Sequence, residues 1–168
     1  MAGQKFLQHN GAGGVAEVIA TQVGGGGAAN LIPSLDASGK LDVTMMPTGI
    51  AADTGVITAS EALAAGDFVN VWNSSGAKVR KADATVAGKE AVGFVLSAVS
   101  NGAAATVYFE GSNTAVTSQT PGPVYLSTTS GLATATPPSA SGNVVQPIGF
   151  AISATVINFQ SGQSITKA

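Results

Sequence analysis

The sequence GDFVNVWNSSG at residues 66–76 is one copy of an internal repeat, because a related segment, GPVYLSTTSG, follows at residues 122–131. In the same way, VGFVLSA at residues 92–98 is matched by IGFAISA at residues 148–154. These segments combine β-branched and aromatic residues with the Gly, Asn and Ser residues that punctuate strands. The sequence therefore predicts two copies of one small β unit.

The two copies are related by a nearly constant spacing. Residues 69–76 align with residues 124–131 at a distance of 55 positions, and Gly93 aligns with Gly149 at 56. A glycine inside a strand indicates a β-bulge, a barrel corner or the close approach of another backbone. Residues that recur in both copies are more often packing residues than catalytic ones. The repeat therefore favours a structural or binding protein over an enzyme.

Signals for β-strands dominate from residue 55 onward. The predicted strands are 55–58, 68–72, 77–81, 91–99, 105–110, 124–127, 132–134, 144–153 and 155–159. Residues 60–65 fit either a helix or a loop, and the glycine that follows favours the loop. Strand 68–72 has apolar residues on both faces, which is typical of a strand that is covered on both sides.

The predicted fold class is all-β, with two related small β-barrel or β-sandwich units preceded by an extended N-terminal arm. The arm comprises residues 1–50, is rich in glycine and contains a short hairpin. The first β unit comprises residues 51–111, and the second comprises residues 112–168 and packs with the first as one β domain.

Within the arm, residues 15–23 place apolar side chains every four positions but contain many β-branched residues, so both helix and strand remain open. The glycine run at 24–27 is typical of a linker. Residues 31–50 predict a small hairpin or an extended arm around a turn at Asp36 to Gly39. Pro33 and Pro47 keep the two apolar stretches short or at a sheet edge.

The charge distribution indicates assembly. Charged residues make up 10% of the 168 residues, well below the roughly 25% of ordinary soluble domains. All nine carboxylates lie at or before Glu110, and Tyr125 is the only ionisable side chain from Gly111 to Thr166. A surface with so little charge does not repel its own copies.

Candidate residues for catalysis and metal binding are few. There is no cysteine, and the single histidine, His9, lies in a glycine-flanked tail. Two carboxylate pairs, Asp36 with Asp42 and Asp53 with Glu61, lack the aromatic platform of a glycosidase. The oxygens of Asp36, Ser38 and Asp42 do not follow the 12-residue calcium loop. We therefore expect no catalytic residues, no metal and no cofactor.

No stretch has the roughly 20 apolar residues of a membrane span, and the N-terminal segment lacks the apolar run of a signal peptide. Four basic residues between Lys78 and Lys89 are interspersed with acidic ones. We therefore expect neither a membrane nor a nucleic acid as a partner.

Residues 35–111 carry a resemblance to a known class of proteins. The segments LDASGKLDVTMMPTGI, ASEALAAGDFVNVW, GKEAVGFVLSAV and ATVYFEG resemble the head decoration, or cement, proteins of tailed bacteriophages. The resemblance implies a non-enzymatic virion protein on the exterior of the capsid, made in the host cytoplasm. It also implies a homotrimer that stabilises the lattice of the major capsid protein.

The resemblance further implies that the N-terminal arm reaches over a neighbouring subunit. The predicted partner-binding residues are the apolar side chains of the arm: Phe6, Leu7, Val15, Val18, Ile19, Leu31, Ile32, Leu41, Met45 and Met46. The second β unit is additional to a minimal decoration domain. The alternative prediction is a trimeric head-fibre, tail-fibre or adhesin component whose second unit contacts the host surface.

Overall fold

The computed structural model describes residues 5–9, 11–22, 24, 31–46 and 52–168. The chain forms two compact units, residues 1–51 and residues 52–168. Residues 25–27 of the glycine run, Val23 and Pro47 lie outside the described residues. The described parts contain strands, turns and one short 3-10 helix and no α-helix, so the all-β prediction is confirmed.

The first unit begins with an antiparallel hairpin of β1 (Lys5–His9) and β2 (Val15–Ile19). The structure thus selects the strand over the helix for residues 15–19. Phe6 pairs with Val18 and Leu7 with Glu17. Two strands alone are marginally stable in water. The hairpin therefore needs contacts beyond its own two strands.

Residues 31–46 contain the predicted turn but no paired strands. The Asp36 carboxylate accepts hydrogen bonds from the backbone N–H groups of Ser38 and Lys40, at 2.8 and 2.9 Å. Pro33 forms an isolated parallel bridge with Thr21, and a 3-10 helix spans Val43–Met45. The turn follows from Asp bonding its own downstream backbone, as expected. Apart from the bridge at Pro33 and the 3-10 helix, the adjoining segments form no regular element.

The second compact unit, residues 52–168, starts with a closed five-stranded barrel. Its strands are β3 (Thr54–Ala59), β4 (Phe68–Asn73), β5 (Ala77–Lys81), β6 (Gly93–Phe94) and β7 (Ala104–Tyr108). Their spatial order is β3-β5-β4-β6-β7, and β7 pairs with β3 to complete the circle. A parallel pairing of Thr58 with Lys78 and of Ala59 with Val79 joins β3 to β5.

The remaining strands form a five-stranded open sheet and a two-stranded ribbon. The strands are β8 (Gly111–Asn113), β9 (Gly122–Leu126), β10 (Ala133–Thr134), β11 (Val144–Val145), β12 (Pro147–Ser153), β13 (Val156–Phe159) and β14 (Ile165–Thr166). The sheet has the order β10-β9-β12-β13-β8, and β11 pairs with β14. When the circular order of the barrel is written from β5, it is β5-β4-β6-β7-β3. Each strand in this order then corresponds to one strand of the open sheet, so the sequence repeat is also a structural repeat.

The two repeats differ in closure. In the first repeat, β3 continues past Gly55 for four residues and reaches β5. In the second, β8 ends at Asn113, the position equivalent to Gly55, and does not pair with β10. The Asn113 amide donates to the Gly66 carbonyl at 2.9 Å, and its oxygen accepts from the Ala115 N–H. The bond to Gly66 ties the end of β8 to the first repeat, and the bond from Ala115 organises the turn that follows β8.

Two apolar cores result. The barrel interior is one, built from Ala59, Leu63, Val69, Val79, Val95, Ala105 and Val107. The other lies between the repeats and joins Phe68, Ala82, Ala84, Ala91 and Phe94 of the first to Val116, Val124, Leu126, Val144, Ile148, Ala151, Ile157 and Phe159 of the second. The outer surface of the barrel thus packs against one face of the open sheet. Strand β4 is covered on both faces, as predicted.

A buried amide connects the repeats through the backbone. Gln146, 2% exposed, accepts from the Ala91 N–H and donates to the Ala91 carbonyl, each at 2.8 Å. The Ser161 hydroxyl also donates to that carbonyl, at 3.0 Å. Each backbone group of Ala91 is therefore satisfied by a side chain from the second repeat.

Several predicted boundaries were wrong. The strand predicted at 91–99 contains only β6, because Val95 bonds to Gly66 and Asp67 outside the regular ladder. Residues 60–65 form the expected loop, in which the Ala64 N–H donates to the Asp67 carboxylate at 2.7 Å. The predicted strand 144–153 divides into β11 and β12. Strands β1, β8 and β14 were not predicted.

Candidate interaction surfaces

The predicted arm residues are largely exposed. Six of the ten have exposed side chains: Leu7, Val15, Ile19, Ile32, Leu41 and Met46. The other four, Phe6, Val18, Leu31 and Met45, are half-buried. Leu35, which is 56% exposed, belongs to the same set but was not predicted. No apolar side chain whose exposure the structure describes in residues 1–51 is buried.

The hairpin carries apolar side chains on both faces. Because side chains alternate along a strand, Leu7, Val15 and Ile19 share one face, while Phe6 and Val18 share the other. The first three are 74%, 65% and 58% exposed. The same face holds an ion pair between Lys5 Nζ and Glu17 Oε2 at 2.8 Å, which adds little stability because both groups are solvated. This exposed face is a candidate contact surface.

A second surface lies on the outer face of the open sheet. Phe150 pairs with Pro123 of β9 on one side and with Asn158 of β13 on the other. We call these three residues the outer row. Phe150 is 57% exposed, and Ile152, further along the same strand, is 64% exposed. A cleft of about 320 Å³, lined in part by Pro123, Tyr125, Pro147 and Phe150, adjoins the row.

The residues considered for catalysis or calcium have structural contacts. The His9 imidazole accepts a hydrogen bond from the Gly11 N–H at 3.2 Å. The Asp42 carboxylate accepts from the Thr44 hydroxyl and backbone N–H, which lowers the pKa of Asp42. These bonds organise local turns. Within the described ranges, no three His, Cys, Asp or Glu side chains are grouped to hold a metal ion.

The basic cluster is also tied into the fold. The Arg80 guanidinium stacks on Trp72, with 4.5 Å between its central carbon and the ring centroid, and donates to Asn70 and the Gly88 carbonyl. Lys81 Nζ lies 3.3 Å from Asp67 Oδ2, and the Asp67 side chain is only 5% exposed. These contacts give Arg80 and Lys81 packing roles on the barrel.

Asp83 connects the repeats through an ionised carboxylate. Burial raises its pKa, but hydrogen bonds from Thr85 and Ser130 and the charge of Lys89 outweigh burial and hold the pKa below 3.8. The Ser130 hydroxyl donates to Asp83 Oδ2 at 2.7 Å. The carboxylate therefore stabilises the folded chain above its unfolded-state pKa, and this stabilisation is lost as the pH falls through the lower folded-state pKa.

We expect the substitution Asp83→Asn to destabilise residues 52–168 more at pH 7 than at pH 3, because protonation removes the wild-type advantage at acid pH. Urea unfolding of both proteins at the two pH values measures the difference. A destabilisation of equal size at pH 7 and pH 3 would contradict the role assigned to the carboxylate. Substitution of Glu110, an exposed carboxylate, is the control.

No protein-family model matches this chain, nor does any curated protein or solved structure. In the described ranges, no helix has the length and apolar character needed to cross a bilayer. Function must therefore be inferred from the surfaces of the chain itself. The sequence pattern predicted the apolar arm residues as a contact surface but not the outer row, because Phe150 occupies a motif position that also suits a core residue.

Proposed function

We propose that this chain is a virion structural protein that decorates and stabilises a phage capsid. In this proposal, it binds the lattice of the major capsid protein through its N-terminal arm and β domain, as a homotrimer on the capsid exterior. It needs no cofactor, nucleic acid or membrane. The resemblance of residues 35–111 to head decoration proteins suggests the class.

The observation that carries the proposal is the exposure of large apolar side chains on the first unit. Its hairpin exposes Leu7, Val15 and Ile19, and residues 31–46 expose further apolar side chains, including Leu35 and Met46. Exposed apolar groups concentrated in one short segment mark an interaction site. An arm of this kind supports binding across a neighbouring protein surface.

Decoration requires many weak contacts rather than one strong site. Each main-chain hydrogen bond contributes only about 1 kcal/mol net, and a single hairpin buries little surface. A symmetric oligomer presents several arms at once, so binding of the first arm raises the effective concentration of the others. Multivalent attachment of this type stabilises a lattice without catalysis.

Quantitative mass spectrometry of purified particles from the encoding phage tests the proposal. A ratio to the major capsid protein near one, or a simple fraction such as about one to three, is expected for a protein that repeats across the lattice. Complete absence from the particles would overturn the proposal. A few dozen copies per particle would support a vertex, fibre or tail component instead.

The arm makes a more specific prediction. Replacing Leu7, Val15 and Ile19 with serine is expected to weaken binding to particles that lack the protein by at least about 100-fold, because three apolar anchors are lost per arm. Co-sedimentation with such particles measures binding. Gln8→Ser, an exposed polar position in the same hairpin, is the control and should bind as wild type. Equal binding of all three proteins would exclude the hairpin as the capsid contact.

A second candidate function is a fibre or adhesin component that contacts the host surface. The exposed outer face of the open sheet, in a part of the chain without charged side chains, favours it. Deleting residues 1–30 separates the two candidates. Loss of capsid attachment supports decoration, whereas retained binding to host cells supports an adhesin whose binding surface lies in residues 112–168.

A further inference from the structure

The outer row has a direct counterpart in the first repeat. In the barrel, Phe94 pairs with Phe68 of β4 and with Tyr108 of β7. In the open sheet, Phe150 pairs with Pro123 of β9 and Asn158 of β13. The two rows lie on equivalent strands and at equivalent positions of the repeat, since both phenylalanines follow the aligned glycines.

The two rows differ completely in burial. Phe68 and Phe94 are 0% and 1% exposed, because buried side chains of the second repeat pack against them. Leu96, which follows Phe94 by two residues, packs against the same core. In the second repeat, the equivalent Phe150 and Ile152 are 57% and 64% exposed. The same motif is thus covered by a β surface in one repeat and left uncovered in the other.

Charge restricts what can cover the outer row. Tyr125 is the only ionisable side chain between Gly111 and Thr166, and the nearest carboxylates, Asp53 and Glu110, line a cleft with Asn158 at one border of this face. A charged surface that docked on Phe150 and Ile152 would lose its hydration without gaining an ion pair there. The surface that covers these two side chains must therefore be uncharged and apolar. The outer face of another copy of this chain meets that requirement.

For association between copies, the edge strands of the open sheet offer a poorer contact than its outer face. The edge strands of the open sheet, β8 and β10, have three and two residues, which are too short to extend the sheet by many hydrogen bonds. The outer face, by contrast, spans all five strands. Its apolar side chains can therefore meet those of other copies around one symmetry axis, as in a closed cyclic oligomer.

We propose that the outer face of the open sheet, centred on Phe150 and Ile152, is the surface through which copies of this chain associate around a symmetry axis. This inference rests on the homo-oligomer of the proposed function and assigns its contact surface. It places self-association on the outer face of the second repeat, whereas capsid attachment uses the arm and other surfaces of the β domain. The two surfaces can therefore be tested independently.

The test compares full-length wild type, the double variant Phe150→Ser with Ile152→Ser, and Val56→Ser in sedimentation equilibrium over a range of concentrations. Val56 is 74% exposed on the barrel strand β3 and serves as the matched apolar control. We expect the double variant to dissociate with a Kd at least about 100-fold higher than wild type, and Val56→Ser to associate as wild type. Unchanged unfolding midpoints at low concentration confirm that the variants fold.

Three results would overturn the proposal: a wild-type chain that stays monomeric, a double variant that associates as wild type, or equal weakening by Val56→Ser. A monomeric wild type that still binds particles would refute this inference and leave decoration standing. If that monomer lost particle binding on substitution of Phe150 and Ile152, the face would be a capsid contact. A wild type that associates through this face but does not bind particles would instead count against decoration alone.

Thiol labelling gives an independent measurement, because the chain has no cysteine. Asn158→Cys places a thiol in the outer row, and Thr106→Cys places one beside Val56 on the barrel. We expect maleimide to label the first at least about 10-fold more slowly in the assembled state than at dilution, and the second at the same rate in both. Equal labelling of the two sites in the assembly would refute the assignment.

Discussion

Phe159→Ala is expected to lower the free energy of unfolding of residues 52–168 by about 4 kcal/mol. Phe159 is 2% exposed and lies where the repeats meet. Its ring centroid is 5.7 Å from that of Phe68 and 5.7 Å from that of Phe94, in tilted and edge-to-face arrangements. The substitution removes the apolar contacts and both aromatic pairs, and the surrounding strands cannot collapse into the space.

Chemical denaturation followed by the fluorescence of Trp72 measures this change. The control is Phe150→Ala at a concentration where the chain is monomeric, because the exposed ring should contribute less than about 1 kcal/mol to the folding of one chain. Similar losses for Phe159→Ala and Phe150→Ala would show that the inter-repeat core is not formed as described. A loss at Phe159 that leaves a separate barrel transition would show that the repeats unfold independently.

Gly149→Ala is expected to cost a similar amount, about 3 to 5 kcal/mol, through the backbone rather than the core. Gly149 has φ of +123°, a conformation that residues with a Cβ rarely adopt. A Cβ at this position would overlap the Asn158 carbonyl oxygen on the neighbouring strand. The backbone must therefore shift, which disturbs the pairing of β12 with β13.

Gly122→Ala separates the two contributions. Gly122 also has a positive φ, +131°, but a Cβ added there would meet no heavy atom within 4 Å. We expect this control to cost only about 1 to 2 kcal/mol, the effect of φ alone. Urea unfolding of both variants measures the difference in unfolding free energy. Equal losses of stability in the two variants would mean that the backbone removes the overlap with Asn158 at no energetic cost.

The bulge at Gly149 also determines which side chains reach the outer face. The register of β12 against β9 shifts between Pro147 and Gly149. In a regular strand Ile148 and Phe150 would share a face, but here Ile148 is fully buried and Phe150 is exposed. The sequence predicted that this glycine marks a bulge or a close approach, and both are present. The aligned Gly93 shows the close approach, to the Tyr108 carbonyl.

The repeat could be predicted from the sequence because turn and strand preferences depend on neighbouring residues. Glycine, asparagine and serine end the strands, and β-branched residues fill them, so class and approximate strand positions follow from neighbouring residues. The arm residues were also recognisable, since an apolar segment between glycines has little to pack against. Short strands such as β8 and β14 were missed, because two or three residues carry too little pattern.

The all-β class, the internal repeat and the special backbone geometry at Gly149 thus follow from the amino-acid sequence alone. The closure of the first repeat into a barrel and the open form of the second are properties of the folded chain. So are the burial of Phe94 and the exposure of Phe150, although both occupy the same motif position. The physical reason is that turn and strand preferences act between neighbouring residues, whereas closure and burial depend on surfaces distant in sequence that must meet.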